Sequence, residues 1–450
     1  MPRKGTVLIA AMVIIFALVS LVLVLGQSMR VEATASANRL SQQQAAAVAR
    51  GAEQYVLAML SENLDLASSD EPRYFAAVPV GDGYFWILRP DYGDPLLPEY
   101  GIVDESSKLD INRAGAAALA ELPGMNEEIA TAIVQWRRGD DDEVTGGSMG
   151  YLDRPYNPKG APFETVEELL LVRGMTRELL YGTASAAGRI NGSASRTLTR
   201  SLSNQQYQEN GIYDLLTVWS RSISTAYDGS VLTVLPSQER DQSRRNREND
   251  QRRRALREML RQRLPGRAEE LSSRVELASN IFDFARRLQL TGDELAIIEP
   301  YISDRTRSNR MGRINVNTAP REVLMQLVTD PSNPVRNDGI FTASDVDALV
   351  SRRTAALGSN PSSIAWVLDA VGPEKATGIG ARLTGRGQRY SADIVAVSGN
   401  GRAFKRVRIV IHRGSTERRI VYRRDVTDFG WPLDPQILAS LRAGQRINTW

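Results

Sequence analysis

Residues 6–26, TVLIAAMVIIFALVSLVLVLG, form an apolar run without one charged residue. At about 1.5 Å per residue, a helix of this length spans the hydrocarbon core of a bilayer. Arg3 and Lys4 precede the run, so the short amino-terminal end is expected to stay cytoplasmic and the remainder to be exported. Helix-compatible sequence without proline follows, which predicts that the helix continues through 27–65. A plain signal anchor is the alternative interpretation.

The start of the run is also typical of a type IV pilin-like leader, in which a few basic residues and a glycine precede a long apolar helix. In this interpretation residues 1–5 are the leader, and a prepilin-type peptidase cuts between Gly5 and Thr6. Pilins normally carry a glutamate at the fifth mature position, where it pairs with the terminal amine of a neighbouring subunit. Ala10 occupies that position in this chain.

Two scarce residue types limit the chemistry. The chain has no cysteine, which excludes zinc-thiolate sites and cysteine nucleophiles. His412 is the only histidine and lies in a predicted strand, so histidine triads and two-histidine metal sites are excluded. No carboxylate pair stands out by its spacing, which leaves a carboxylate-based hydrolase without a motif. The net charge of +3 is too small to mark the whole chain as a polyanion binder.

Two segments about 300 residues apart predict one sheet. In residues 75–90, FAAVPVGDGYFWILRP, a Gly-Asp-Gly turn separates two apolar runs and predicts a hairpin. Residues 390–426 predict three strands, with turns at 400–401 and 414–415. Alternation places three apolar residues of the middle strand on one face: Val407, Ile409 and Ile411.

Mostly helical patterns lie between these two segments. We therefore predict an α+β fold: a pilin-like long N-terminal helix packed on an antiparallel sheet, with a large, mainly α-helical inserted domain. The predicted boundaries are 66–107 for the first part of the sheet domain, 108–385 for the insert, 386–430 for the second part, and 431–450 for a C-terminal tail.

The insert contains a repeat. LDINRAGAAALAELPGM (109–125) aligns with INVNTAPREVLMQLV (314–328), and Asn112 and Asn317 are predicted to cap the helices that follow. In a third piece, PFETVEELLLVRGM (162–175), Thr165 and Glu168 have the spacing of a capping box. We interpret these pieces as helix-hairpin-helix-like units, pairs of short helices that bury a Leu/Ile face.

The turns of these units differ from those that bind DNA. DNA-binding versions use a Gly-apolar-Gly turn, so that bare backbone amides approach a phosphate. Here Gly124-Met125 is followed by Asn126, Gly174-Met175 is followed by Thr176, and the matching Leu327-Val328-Thr329-Asp330 has no glycine. Three carboxylates at the helix starts would repel phosphate: Glu127, Glu128 and Glu178. We predict protein-packing elements without specific nucleic-acid binding.

Taken together, these pieces resemble the K-type minor pseudopilin family of the type II secretion system along most of the chain. The resemblance rests on the RKG leader before an apolar helix, the phrase LDINRAGAAALAELPGMNEEIATAIVQWR, and the acidic stretch GDDDE (139–143). It continues through PYNPKGAPFETVEELLLVRGM (155–175) and INVNTAPREVLMQL (314–327). In this family the missing fifth-position glutamate is the usual state.

The resemblance implies a structural, non-enzymatic role. A family member sits at the tip of a short periplasmic pseudopilus with other minor pseudopilins, contacts the inner-membrane assembly platform, and helps initiate fibre assembly. It implies processing and amino-terminal methylation after cleavage by prepilin peptidase. It places the chain in the inner membrane, crossing it once with the bulk in the periplasm, and no cofactor is required.

The family's acidic loop has been associated with calcium. Asp140, Asp141, Asp142 and Glu143 supply hard oxygen ligands in a loop flanked by glycines, which is the ligand chemistry of that ion. The spacing is not that of an EF-hand, and a solvated acidic turn is the alternative.

Residues 239–263 are not accounted for by the resemblance. They hold ten arginines against five acidic residues, with no apolar residue before Ala255. We interpret this Arg-rich tract as a solvated helix or linker, with contact to nucleic acid or acidic lipid as the alternative. For the whole chain, the competing function is a membrane-anchored DNA-binding protein of the competence helix-hairpin-helix type.

Overall fold

The computed structural model describes most of the chain. The described residues are 4–61, 72–90, 100–139, 156–182, 211–222, 232–236, 242–304, 312–328, 341–356, 363–414 and 417–447.

Within these residues the helices, in chain order, are α1 Lys4–Ser61, α2 Ala116–Ala120, α3 Glu127–Arg138, α4 Arg177–Tyr181, α5 Gln242–Arg263, α6 Ala268–Ser273, α7 Ile281–Leu288, α8 Gly292–Ile298, α9 Arg321–Met325, α10 Ala343–Ala356, α11 Trp366–Val371, α12 Pro373–Ile379 and α13 Pro435–Arg442. The strands are β1 Val78–Val80, β2 Gly83–Leu88, β3 Val103–Asp104, β4 Leu109–Asp110, β5 Leu216–Thr217, β6 Thr233–Val234, β7 Ile302–Ser303, β8 Ile314–Asn315, β9 Leu383–Thr384, β10 Arg389–Val397, β11 Phe404–Arg413 and β12 Arg418–Asp425.

The main sheet joins the two segments that the sequence predicted. Its strand order is β1-β2-β10-β11-β12, all antiparallel, with β3 paired to the first residues of β10. The predicted hairpin turn lies at residues 81–82, and Gly81 has the positive φ of 59° that favours glycine. The three carboxyl-terminal strands also form as predicted.

Helix α1 packs on one face of this sheet. Its small and apolar residues from Val48 to Leu60 are buried against Phe85, Ile394 and Ile409 and their neighbours, including the predicted face of β11. Gly83 lies where α1 crosses the β1–β2 hairpin, and a Cβ there would lie 2.6 Å from Val48 Cγ2. Glu53 pairs with Arg423 of β12 at 2.9 Å, so the long helix is fixed to both edges of the sheet.

The insert repeats one arrangement three times. A two-residue strand pairs in parallel with a strand that follows a short 3-10 turn: β4 with β5, β6 with β7, and β8 with β9. The helices between the paired strands share one continuous apolar core, distinct from the core under α1. The structure therefore confirms the predicted α+β fold with a helical insert.

Two segments differ from their predicted description. The Arg-rich tract forms helix α5, and its second half is docked rather than solvated, because Leu256, Met259 and Leu260 enter the insert core. The predicted carboxyl-terminal tail contains α13, which buries Leu441 against the sheet face opposite α1. Both corrections have one cause: a few apolar residues at helical spacing suffice to dock an otherwise polar helix.

Candidate functional site

The amino-terminal half of α1 presents a continuous apolar surface. Fourteen large apolar side chains between Leu8 and Leu25 are exposed, an area that needs cover other than water. Among the described residues, one helix is long and apolar enough to cross a membrane. Gly5 and Thr6 lie in the first turn of α1, and Ala10 is exposed on it. This surface fits the predicted membrane anchor.

The direction of α1 fixes which end of the sheet faces away from the anchor. Asn400, in the β10–β11 turn, donates to the Ser41 hydroxyl at 2.9 Å. At the opposite end of the sheet, Arg418 donates to the carbonyl of Leu60 at 3.3 Å. The apolar half of α1 precedes Ser41, so the sheet end beside Leu60 is the distal one.

The insert begins and ends at that distal end. β3 leads into the insert and pairs with the start of β10, which leads out of it, through Asp104 opposite Tyr390. Tyr390 in turn lies opposite Ile411, and Ile411 opposite Ile420, at the end of the sheet near Arg418. The insert is therefore attached at the end of the sheet farthest from the apolar half of α1.

A buried carboxylate closes this attachment point. Asp104 accepts hydrogen bonds from the backbone N–H of Gly387 at 2.6 Å, the side-chain amide of Asn315 at 2.8 Å, and the N–H of Ser106 at 2.8 Å. Gly387 is required because a Cβ there would lie 2.2 Å from Asp104 Oδ1. Burial raises the pKa of Asp104 to about 6, against the effect of these three donors.

Further buried charges surround the attachment point. Glu105 pairs with Lys108 at 2.6 Å and accepts from the Thr217 hydroxyl. Burial opposes ionisation of Glu105, but the Lys108 ammonium and the hydrogen bonds lower its pKa below the usual value. Burial raises the pKa of Asp110 to about 6 and that of Glu299 to about 7. The connection between sheet and insert is thus a polar network inside the protein.

The first two predicted hairpins pack against each other with approximate twofold correspondence. Gly124 and Gly174 have φ values of 73° and 81°. A Cβ on Gly124 would lie 3.0 Å from Leu179 Cδ1, and one on Gly174 would lie 2.9 Å from Ile129 Cγ1. Each turn is therefore covered by the first apolar residue of the other hairpin's second helix, Leu179 or Ile129. This pairing agrees with the predicted protein-packing role.

The helix starts carry their own acceptors. The Asn126 side chain accepts from Ile129 N at 2.8 Å, and Thr176 Oγ1 accepts from Leu179 N at 3.1 Å. These amides are among the donors that a bare glycine turn would leave for a phosphate oxygen. Glu127 and Glu128 add negative charge at the first of these starts. The geometry therefore favours packing over phosphate binding.

Three predicted caps are wrong. The Asn112 side chain pairs with the N–H and carbonyl of Phe163, at 2.7 and 3.0 Å, instead of capping α2. Asn317 donates to the carbonyls of Ser363 and Gly385, both at 3.1 Å, and accepts from the Trp366 indole at 2.9 Å. These two side-chain amides therefore bind backbone segments that lie 46 to 68 residues away in the sequence.

The third error is the capping box. Thr165 makes no side-chain cap bond, and the segment 166–171 is a 3-10 helix. The Glu168 carboxylate instead accepts from Glu164 N at 3.0 Å and from the Trp136 indole at 3.0 Å. Since Trp136 belongs to α3, Glu168 is used to join the two hairpins.

The hairpin pair also contacts the sheet face opposite α1. Arg424 of β12 pairs with Glu167, which accepts from the Tyr213 hydroxyl at 2.8 Å. Asp393 of β10 is held by Arg406 at 2.7 Å and by Arg408 at 3.1 Å. Burial opposes ionisation of Asp393, but the two guanidinium groups bring its pKa far below the usual value. The Arg424–Glu167 ion pair therefore holds the sheet to the insert in addition to the junction, whereas the Asp393 pairs join neighbouring strands within the sheet.

Of the remaining candidate residues, the structure describes His412. His412 is half-buried on β11, and burial together with nearby arginines lowers its pKa. Asp140, Asp141, Asp142 and Glu143 lie outside the described residues. Within the described part of the chain, no group of three or more Asp, Glu or His side chains is placed to hold a metal ion.

The comparison with known families bears on the region just described. Residues 104–185 match the family model for the type II secretion system (T2SS), protein K. The match begins at the buried junction and includes both covered glycine turns. No curated protein matches the chain. Residues 104–185 are therefore similar to the type II secretion system protein K family, which confirms the family resemblance of the sequence for this part of the chain.

Proposed function

We propose that this component of the type II secretion system is a minor pseudopilin at the tip of the pseudopilus, where it helps to initiate fibre assembly. It would be anchored in the inner membrane by α1, with the sheet and insert in the periplasm. Its partners would be other minor pseudopilins, the inner-membrane assembly platform and prepilin peptidase. Its role would be structural and not enzymatic.

One observation carries the tip position. The insert is attached at the distal end of the sheet, beside Leu60 and opposite the end that leads to the membrane anchor. A subunit added above this one would have to place its own anchor helix past a domain of nearly 280 residues. Such a domain blocks continuation of the fibre on that side but leaves the anchor helix free for subunits below.

The residue at position 10 supports the same position. In a fibre shaft, the fifth-position carboxylate neutralises a neighbour's amine, which would otherwise be buried unpaired at a cost of several kcal/mol. Ala10 cannot supply that carboxylate. The arrangement that avoids the penalty is one with no subunit above, which is the tip.

Antibody labelling of pseudopili tests the proposal. Gold-labelled antibodies against the insert should mark one end of isolated fibres and not their sides. Ala10→Glu, which restores the missing carboxylate, should leave this labelling and protein secretion nearly unchanged, because no subunit lies above to use it. Labelling along the shaft, or a clear gain of shaft incorporation in Ala10→Glu, would contradict the tip position.

A further inference from the structure

Helix α5 has two sides of opposite character. Leu256, Met259 and Leu260 are buried in the insert core, and Asn249 is buried on the same side about two to three turns earlier. At 3.6 residues per turn, Arg254, Arg257 and Arg261 lie on the opposite side within a sector of about 60°. All three are exposed. We call these three residues the arginine row.

The arginine row is only weakly engaged by the protein itself. Arg257 donates to the carbonyl of Ser272 at 3.1 Å, a neutral acceptor. Arg254 and Arg261 have no ionic partner within the described part of the chain, whereas neighbouring Arg252 and Arg253 pair with Glu248 and Asp250. The row thus leaves charged guanidinium groups available at both ends.

Without a bound partner, the three guanidinium groups of the row repel one another. Arg254 and Arg257 are three residues apart, and Arg257 and Arg261 four, so neighbouring guanidinium groups repel along the helix. Helix α5 holds nine arginines against three acidic residues, 9 − 3 = +6, while the whole chain carries +3. The remainder of the chain is therefore 3 − 6 = −3, and the positive charge is concentrated on this helix.

The pattern of charge distinguishes between classes of partner. Glu258 is exposed on the same side as the row and is bonded to Gln262 at 3.1 Å. A carboxylate beside the row opposes the continuous phosphates of nucleic acid or of an anionic membrane, which cannot avoid it. A helical partner with separated carboxylates can place an uncharged residue opposite Glu258. From Arg254 to Arg261 the row extends for about 10 Å, two helical turns, which matches carboxylates at i, i+3 or i+4, and i+7 of a second helix.

We propose that the arginine row is a docking surface for an acidic helix of a partner protein. Arg is suited to this contact because its planar guanidinium binds a carboxylate through two hydrogen bonds. The apolar side of α5 is fixed in the core, so the row is presented on a rigid helix. The proposal does not depend on the tip position and would hold wherever the subunit lies in the assembly.

Binding of designed peptides to the full chain in neutral detergent tests this surface. The probe is a helical peptide with glutamates at i, i+3 and i+7 on one side, compared with a peptide of the same composition but scattered glutamates. The patterned peptide should bind about tenfold more tightly at physiological salt, since three exposed ion pairs each make a small contribution to affinity.

Matched variants locate the site. Arg254→Gln/Arg257→Gln/Arg261→Gln should weaken binding of the patterned peptide about tenfold. The control changes three exposed arginines elsewhere, Arg402→Gln/Arg419→Gln/Arg446→Gln, with the same loss of charge, and should leave binding within about twofold. Circular dichroism of both variants checks that the fold is kept; if the row variant unfolds, Arg254→Lys/Arg261→Lys provides a milder test, with a smaller loss expected.

Three outcomes would overturn the proposal. The first is equal binding of the two peptides, which would mean attraction by net charge alone. The second is an equal loss in the control variant. The third is tighter binding of phosphatidylglycerol vesicles or duplex DNA than of the patterned peptide at the same charge concentration, which would assign the row to a membrane or nucleic acid.

Discussion

The pH dependence of folding stability is a direct test of the buried network that joins the sheet to the insert. Burial raises the pKa of Asp104 and of Asp110 from 3.8 to about 6, and that of Glu299 from 4.5 to about 7. Because each carboxyl group has a higher pKa in the folded state, the folded protein binds more protons between about pH 4 and 6. Their contribution to stability is fully present below about pH 4 and is lost as the pH rises through these folded-state values.

The size of the effect follows from the shift. For Asp104, a rise from 3.8 to about 6 corresponds to at most about 3 kcal/mol of stability, at 1.36 kcal/mol per pKa unit. Carboxylates with a lowered pKa act in the opposite direction. Burial opposes ionisation of Asp425, but Lys405 and Thr427 lower its pKa to about 2. The stability that such groups contribute is lost only as the pH falls below about 4. His412, whose pKa is lowered by burial and by nearby arginines, acts against the three raised groups at about pH 6, but it is one group against three, so the raised groups dominate between pH 4.5 and 7.

Urea unfolding of the full chain in neutral detergent, followed by tryptophan fluorescence, measures this dependence. The free energy of unfolding should fall from pH 4.5 to 7. Asp104→Asn should reduce that fall by about 2 kcal/mol, because the amide does not titrate and part of the full effect lies below pH 4.5. Its absolute stability will also change, because an amide cannot accept all three hydrogen bonds, so the pH slope is the quantity to compare.

Asp82→Asn, at the exposed β1–β2 turn, is the matched control and should keep the slope of the original protein. A stability that is flat or rises between pH 4.5 and 7 would refute the argument. So would an Asp104→Asn slope equal to that of the control, because the buried carboxylate would then contribute nothing to the pH dependence.

Three further predictions can be checked separately. The mature protein should begin at Thr6, and a large residue in place of Gly5 should leave an uncut precursor; mass spectrometry finding Met1, or a start beyond residue 26, would contradict the leader. Duplex DNA should bind no more tightly than the micromolar range at physiological salt. Asn126→Gly/Thr176→Gly should not change this, because Leu179 and Ile129 still cover the turns, and sub-micromolar binding would revive the competence-type function. Calorimetry should show weak calcium binding that is lost in Asp140→Ala/Asp142→Ala, and no heat with the original protein would remove the metal from the interpretation.

Local sequence patterns were sufficient for the elements whose stability depends on nearby residues. The apolar run predicts the long helix because about 20 consecutive residues all prefer a non-aqueous environment, where a helix satisfies every backbone hydrogen bond. Alternation in β11 and the Gly-Asp-Gly turn predict the strands and the hairpin, because these depend on spacing of two and on glycine at positive φ. The presence of Asn126 and Thr176, where DNA-binding hairpins have a second glycine, likewise predicts a packing role, which agrees with the covered turns of the structure.

Partners across the chain could not be predicted in this way. Asn112 and Asn317 have the composition of helix caps, but their amides bond to Phe163 and Ser363, which no local pattern specifies. The sequence gives no indication that Asp104 accepts from Gly387, 283 residues later. A side-chain amide or carboxylate satisfies its hydrogen bonds with whichever donors the fold brings near, and burial makes those bonds obligatory.

The sequence by itself therefore determined the long apolar helix, five of the six strands of the main sheet and the family resemblance of the inserted units. Tertiary structure decided which end of the sheet carries the insert, which residues close the junction, and which side of the Arg-rich helix is exposed. The physical reason is the sequence distance over which each effect acts, because backbone preference and hydrophobic periodicity depend on residues only a few positions apart. Burial, pKa shifts and long-range hydrogen bonds exist only after the chain has folded.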